Sequence, residues 1–369
     1  MSKPRNLADV ILSNKQWMRR LRVVMVMEEW VAANLKKQGP GDSRKRSPEV
    51  LINKGKEYFY GYLFWGRRVF PVSTDPLFFD NDDVVNDDGS LISQLTDDKY
   101  PEFINILNNA KTKVMTDAHK DDMVLYADVI GFVGPSISDI TRLSEALRDS
   151  DTKEHEMIGL ILRYRCVGGF DSNLHGSVTE NWASAFAGYT ECFASPLNHK
   201  FEKFHSLFDN DAVFGGQGDF FQMVRKSEDV IPSGFYEINP PFHSELLHQV
   251  AKIVEHSFES NVPGLKIVMM VPIWANTEFI PTLDNIRSIT GTFWYAFDRY
   301  SHRYTHTKGV SLVANTRFYV LASNGTPQAE FDSMLHLCRS LVYPGASRTL
   351  RASIDHSSQT LDRILKIQT

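Results

Sequence analysis

Gly234-Phe235-Tyr236-Glu237-Ile238-Asn239-Pro240-Pro241-Phe242-His243 reads as a short strand that stops at a stiff polar turn and hands over to a helix. The run before Asn239 is apolar and aromatic, which suits a buried strand. After His243, Leu246, Leu247, Val250, Ile253, Val254 and Phe258 fall on one stripe of a helix with a 3.6-residue period. Further strands are expected at Ile158–Cys166, Thr190–Ala194, Ala212–Phe214, Leu265–Val271, Thr292–Phe297 and Phe318–Ala322, separated by helical stretches. Strands alternating with helices indicate an α/β fold with helices on both faces of a doubly wound sheet.

In such sheets ligands bind beyond the carboxyl ends of the strands, which is where Asn239-Pro240-Pro241-Phe242 falls. The quartet fits one kind of chemistry. An exocyclic amine on adenine is a poor nucleophile because its lone pair is delocalised into the ring. Two acceptors aimed at its N–H groups localise that pair. The Asn239 amide oxygen supplies one, and the Pro240 carbonyl supplies the other, since proline keeps its C=O. Two consecutive prolines set both acceptors in place beforehand, and Phe242 offers a face for the base. Taken alone, Asn-Pro and Pro-Pro are also common turn dipeptides.

Two strand ends upstream support a nucleotide site. Phe193-Ala194-Ser195-Pro196-Leu197-Asn198 combines small residues that admit a ligand close to the backbone. Asp209-Asn210-Asp211 leads into Phe214-Gly215-Gly216-Gln217-Gly218, where an Asp is placed to accept from ribose hydroxyls and glycines leave room for an adenosine. The glycine-rich turn lacks the Lys-Ser/Thr of a phosphate-binding loop.

These segments, in this order, resemble the phosphorylated-CTD-interacting-factor family of cap-specific adenosine N6-methyltransferases. The resemblance continues through Glu245-Leu246-Leu247, Val271-Pro272-Ile273-Trp274 and Val313-Ala314-Asn315-Thr316, and spans about residues 163–324. It implies a Rossmann-like methyltransferase sheet, S-adenosylmethionine as cofactor, and a helical accessory region helping to form a basic RNA groove. Carried over by position, Asn239, Pro240, Pro241 and Phe242 are the catalytic set, and Phe193, Ala194, Ser195, Pro196, Asn198, Asp211, Phe214 and Gly215 lie around the cofactor. Asp209 competes with Asp211 for the ribose. Phe242, Trp274, Arg163 and Arg165 are the candidate substrate contacts; the two arginines read equally well as paired charges at a turn. The chain departs from the family pattern at Ile273, which stands where members have Glu. No WW module is read either, because Trp17 and Trp30 lie in a helical stretch without the expected proline.

The rest of the chain sets bounds. Its 369 residues are 42% hydrophobic and 23% charged with a net charge of -5, a globular composition that disfavours indiscriminate coating of nucleic acid but leaves room for a local basic groove. Residues 1–150 read as a mainly helical accessory domain. A helix over Leu7 to Leu35 opens it, followed by a basic loop at Ser43-Arg44-Lys45-Arg46, an aromatic-rich segment at Tyr58 to Phe70 and an acidic one from Asp75 to Asp98. Residues 151–345 form the catalytic domain and 346–369 a tail or helix. Cys166, Cys192 and Cys338 show no paired spacing, and the 12 histidines, His302 and His306 included, lack metal-ligand context, so neither a metal nor a disulfide is expected. No stretch is apolar enough to span a membrane and no signal-peptide core precedes the first helix. An intracellular enzyme, nuclear or cytoplasmic, follows. Its expected partner is RNA, at the capped 5′ end of mRNA. Internal RNA adenine, DNA adenine, and a catalytically inactive RNA-binding relative are the competing readings.

Overall fold

A computed structural model of the chain describes residues 6–34, 102, 105–106, 109–110, 142–143, 145–147, 151–167, 176–275, 277–306 and 311–343. The basic, aromatic and acidic segments read between residues 43 and 98, and the tail after 345, lie outside the described residues.

Helix α1 (Leu7–Asn34) opens the chain, and α2 (Lys153–Cys166) packs against it. The sheet and its helices follow as β1 (Gly176–Ser177), α3 (Glu180–Ala185), β2 (Thr190–Ala194), β3 (Lys203–Ser206), α4 (Phe220–Lys226), β4 (Gly234–Ile238), α5 (Ser244–Glu259), β5 (Leu265–Pro272), α6 (Phe279–Asn285), β6 (Phe293–His306), β7 (Ser311–Ala322) and α7 (Gln328–Val342). The seven strands lie in the order β1-β6-β7-β5-β4-β2-β3. Strands β3, β2, β4 and β5 are parallel, whereas β7 runs antiparallel to both β5 and β6. The result is a mixed sheet in which β7 is reversed between two strands that share a direction.

Alternation along the central strands divides the core. Ile267, Met269, Tyr319 and Leu321 face α5 and α6, where Leu246, Leu247, Val250, Val254, Phe258, Phe279 and Leu283 meet them. Val268, Met270, Phe318 and Val320 face the opposite side, with Trp182 and Phe186 of α3 and Phe331, Met334 and Cys338 of α7. Trp182 stacks on Phe186 at 5.5 Å and on Phe318 at 5.9 Å between ring centroids. Because both faces are covered, β5 reads as an almost unbroken apolar run. Its one charge, Lys266, lies over the Phe235 ring and reaches Glu330 at 2.6 Å.

Two expected strands prove to be helical. Ile158–Cys166 lies within α2, buried by α1 on one side and by the turn after β3 on another. A short apolar run covered on several sides carries no period that separates strand from helix. Ala212–Phe214 belongs to a 3₁₀ turn, Asp209–Phe214, closed by Gly215 in the left-handed region. The strand that pairs with β2 is instead Lys203–Ser206. The expected strands at Thr292–Phe297 and Phe318–Ala322 both extend much further: beyond the last β5–β7 pair, Pro272↔Thr316, β6 and β7 remain paired as far as Thr305↔Ser311. This hairpin projects past the carboxyl edge of the parallel strands.

Candidate active site at the carboxyl ends of the strands

Asn239 follows the last residue of β4 and is 8% exposed. Its Nδ2 donates to the Gly176 carbonyl at 3.4 Å. A carbonyl only accepts, so this neighbour fixes which end of the amide is the NH2. The Asn239 oxygen takes no hydrogen bond among the described residues. Pro240 is buried, while Pro241 and Phe242 are half-buried. Phe242 packs edge-on against Tyr304 at 5.7 Å and Trp274 at 6.3 Å. Trp274 is 40% exposed and stands just beyond the end of β5. Asn239, Phe242 and Trp274, expected to act together, are thus brought to one place. Tyr304, on the projecting hairpin, joins them; its hydroxyl shares a 2.9 Å hydrogen bond with Thr316.

The ends of β2 and β3 make a second cluster. Ser195 and Asn198 are both buried and bonded to each other: Asn198 Oδ1 accepts from Ser195 N and Ser195 Oγ, each at 2.8 Å. Their side chains hold the turn after β2, and Arg142 adds hydrogen bonds to the carbonyls of Pro196 and His199. Phe193 packs against Phe220 at 4.8 Å, and Ala194 and Phe214 are buried.

Asp211 is fully buried, with Arg163 Nη2 donating to Oδ1 at 2.8 Å and the Tyr164 hydroxyl to Oδ2 at 2.6 Å. Burial raises its carboxyl, and the Arg163 charge opposes that shift. Both oxygens therefore serve the tie between α2 and the 3₁₀ turn. Arg163 and Arg165, expected near substrate, are placed elsewhere. Arg163 is 0% exposed in the Asp211 pair, and Arg165 is buried against Glu28 of α1 at 3.3 Å. A basic residue beside an apolar run gives no sign of which way it faces, and α2 being a helix turns both inward.

Asp209, the competing choice, is the exposed carboxylate at the end of β3. It has a polar cradle beside it. Gly218 has φ +84°, and a Cβ there would lie 3.1 Å from Gln222 Oε1 and 4.0 Å from Asp209 Oδ1. Gly215, at φ +93°, closes the 3₁₀ turn, and a Cβ there would lie 3.8 Å from the Phe204 ring. A bare backbone beside a free carboxylate suits a polyhydroxylated ligand, so the donor set fits a nucleoside with Asp209 in the role given to Asp211.

Two buried acids gained no role in the sequence reading. Glu191 and Glu237 sit side by side in the β2–β4 register, 3% and 2% exposed. Glu191 Oε1 accepts from Ser177 Oγ at 3.1 Å, and Oε2 accepts from the backbone N–H of Lys200 at 2.7 Å and of Phe201 at 3.2 Å. Burial nevertheless pushes it up to about 7. Both Glu237 oxygens lack a partner among the described residues, and burial next to Glu191 raises its carboxyl further. The signal was legible: a charge within an apolar strand, two residues before Asn239 and therefore on the same face.

A family model described as "Phosphorylated CTD interacting factor 1 WW domain" matches residues 141–307. Over this segment the chain resembles that family. Among curated proteins, the "mRNA (2'-O-methyladenosine-N(6)-)-methyltransferase" of Mus musculus is 35% identical over 108 residues, which is 29% of this chain and 14% of that protein. The protein of the same name from Homo sapiens shows the same identity and coverage. The chain thus aligns with about one seventh of the length of these relatives. The expectation of a chain without a WW module is at odds with the name of the matching model. It rested on Trp17 and Trp30, whereas the match lies downstream, over the elements from α2 to β6. Among the described residues no helix is long and apolar enough to cross a membrane, and no group of His, Cys, Asp and Glu is placed to hold a metal ion.

Proposed function

We propose that the α/β unit is a Rossmann-like, S-adenosylmethionine-dependent methyltransferase domain that acts on the N6 amine of adenosine in RNA, at the cap-adjacent position of mRNA. The observation that carries this reading is the Asn239 amide: buried at a strand's carboxyl end, its NH2 committed to Gly176, its oxygen left to accept. The strand order, with β7 reversed between β5 and β6, and the names of the relatives support it.

Bound beyond β2 and β3, S-adenosylmethionine would supply an electrophilic methyl group on a sulfonium. Asp209 would take its ribose hydroxyls, with Gly215 and Gly218 giving room. Asn239 Oδ1 and the Pro240 carbonyl would accept from the two amine hydrogens, turning the nitrogen lone pair out of the ring. Phe242 and Trp274 would hold the base, stacking being worth about 1–3 kcal/mol per base. Orientation and polarisation of the amine carry the rate, with no tuned general base.

The test is transfer of labelled methyl to RNAs beginning with adenosine, capped or uncapped, with Asn239→Ala alongside. Transfer to capped RNA alone, lost in the variant, is expected. Equal transfer to both RNAs would remove the cap from the reading, and transfer to DNA only would move the substrate. Cofactor binding without transfer to any adenine would refute the activity.

A further inference from the structure

We propose that Ser177 and Glu191 are positioning residues that set the direction of the Asn239 amide. The inference rests on the role given to Asn239 above.

Strand β1 has only two residues. It pairs with the tip of β6 through Gly176↔His306 and Ser177↔Thr305. So short a strand at a sheet edge has few bonds of its own to hold it. What ties it to the centre is a side chain: Ser177, 2% exposed, donates to Glu191 on β2. Glu191 is itself fixed by the two backbone N–H groups of Lys200 and Phe201. From this anchored strand the Gly176 carbonyl meets the Asn239 NH2. The chain of contacts runs from β2 to β1 to the end of β4.

Its consequence is directional. With the NH2 held against Gly176, the amide oxygen must point the other way. Were the amide to flip, two oxygens would face each other. Release of β1 would let the amide rotate and lose the acceptor geometry while leaving the cofactor and base surfaces in place. At 3.4 Å this contact lies at the long end of a hydrogen bond, so the amide depends on Gly176 being held in place. Glu237 does not compete for Ser177, because among the described residues its oxygens take no partner.

The experiment compares Ser177→Ala, Glu191→Gln, Asn239→Ala and the Ser177→Ala/Asn239→Ala double variant by single-turnover methyl transfer, with cofactor and RNA affinities measured directly. Ser177→Ala should slow the transfer step about tenfold or more while both affinities stay within about twofold, the pattern of an interaction that matters in the transition state. In the Asn239→Ala background it should change nothing further, since the two act as a unit. An equal loss in that background, an affinity loss with the rate intact, or an unchanged rate would overturn the proposal. A second readout separates its failure from that of the parent reading. Hydrogen exchange of the Asn239 side-chain NH2, followed by NMR, should quicken in folded Ser177→Ala whether or not any substrate is methylated. Unchanged exchange would overturn the positioning chain even if the enzyme is an N6-methyltransferase. Quickened exchange in a protein that methylates nothing would uphold the chain and sink the activity.

Discussion

Replacing Glu237 with Gln should stabilise the protein, and the gain should grow with pH at a rate set by a single proton. Glu237 is 2% exposed, its oxygens have no partners among the described residues, and its neighbour in the β2–β4 register is a second acid. The Glu191 charge is met by three donors, so the shared strain falls on Glu237, whose carboxyl is raised well above its ordinary 4.5. In the unfolded chain Glu237 ionises near that ordinary value. The folded state therefore binds one more proton from about pH 4.5 upward, and stability falls by about 1.4 kcal/mol per pH unit until the folded carboxyl titrates. Gln has the same shape and no such slope. Between pH 5.5 and 7.5 the difference between variant and wild type should widen by about 3 kcal/mol in favour of the variant. His243 and His302, both pushed down to about 4 by burial, act oppositely, losing stability as pH falls below their ordinary 6.5. They are present in both proteins and cancel. Urea denaturation at fixed ionic strength reads the difference directly. Parallel stability curves would show that Glu237 is ionised in the fold, and the account of the acid pair would be wrong.

Asp209→Ala should weaken cofactor binding about tenfold by isothermal titration, an effect of one lost charge-assisted hydrogen bond, with folding stability nearly unchanged because the carboxylate is exposed; an unaffected affinity would remove it from the ribose. Arg163→Ala should instead cost about 3–5 kcal/mol of stability, since it strands a fully buried Asp211 carboxylate, and a loss under 1 kcal/mol in denaturant titration would contradict the buried pair. Asn239→Ala should lower methyl transfer about 100-fold or more, as removal of a polarising group at the reacting atom does, while leaving cofactor affinity intact in the same titration.

The parts legible in the sequence were those whose pattern is set by covered faces. Gly234–Ile238, Thr190–Ala194 and the β5 run stand out because both sides of the sheet are packed, and the stripe on α5 because one side is. The Asn239 turn was legible because its chemistry is contiguous. Illegible parts depend on what lies opposite. Ile158–Cys166 is apolar enough for a strand and becomes a helix because α1 and the turn after β3 bury several of its sides. The projecting half of β6 carries Arg299, Ser301 and Arg303, polar residues that conceal a strand whose inner face, His302 and Tyr304, is buried. A tie across 48 residues, such as Arg163 to Asp211, leaves no local trace.

That tie changes how the first helices relate to the site. A boundary near residue 150 follows the change in composition, yet it separates α1 from α2, its packing partner. Asn14 Nδ2 donates to the His155 carbonyl at 2.8 Å and Glu28 pairs with Arg165, so the two helices are joined by buried polar contacts as well as by apolar ones. From α2, Arg163 and Tyr164 occupy both oxygens of Asp211 in the turn after β3. Neighbouring Asp209 is thereby held at the mouth of that turn, its backbone fixed by a residue it does not touch. A perturbation of α1 remote from the strand ends should then reach the cofactor side of the site through α2, and leave the Asn239 side, anchored separately through β1, unmoved. Substitution of Glu28 by Gln tests this division. It should loosen cofactor affinity and spare the rate of transfer at saturating cofactor, and the reverse pattern would place the coupling on the wrong side of the sheet.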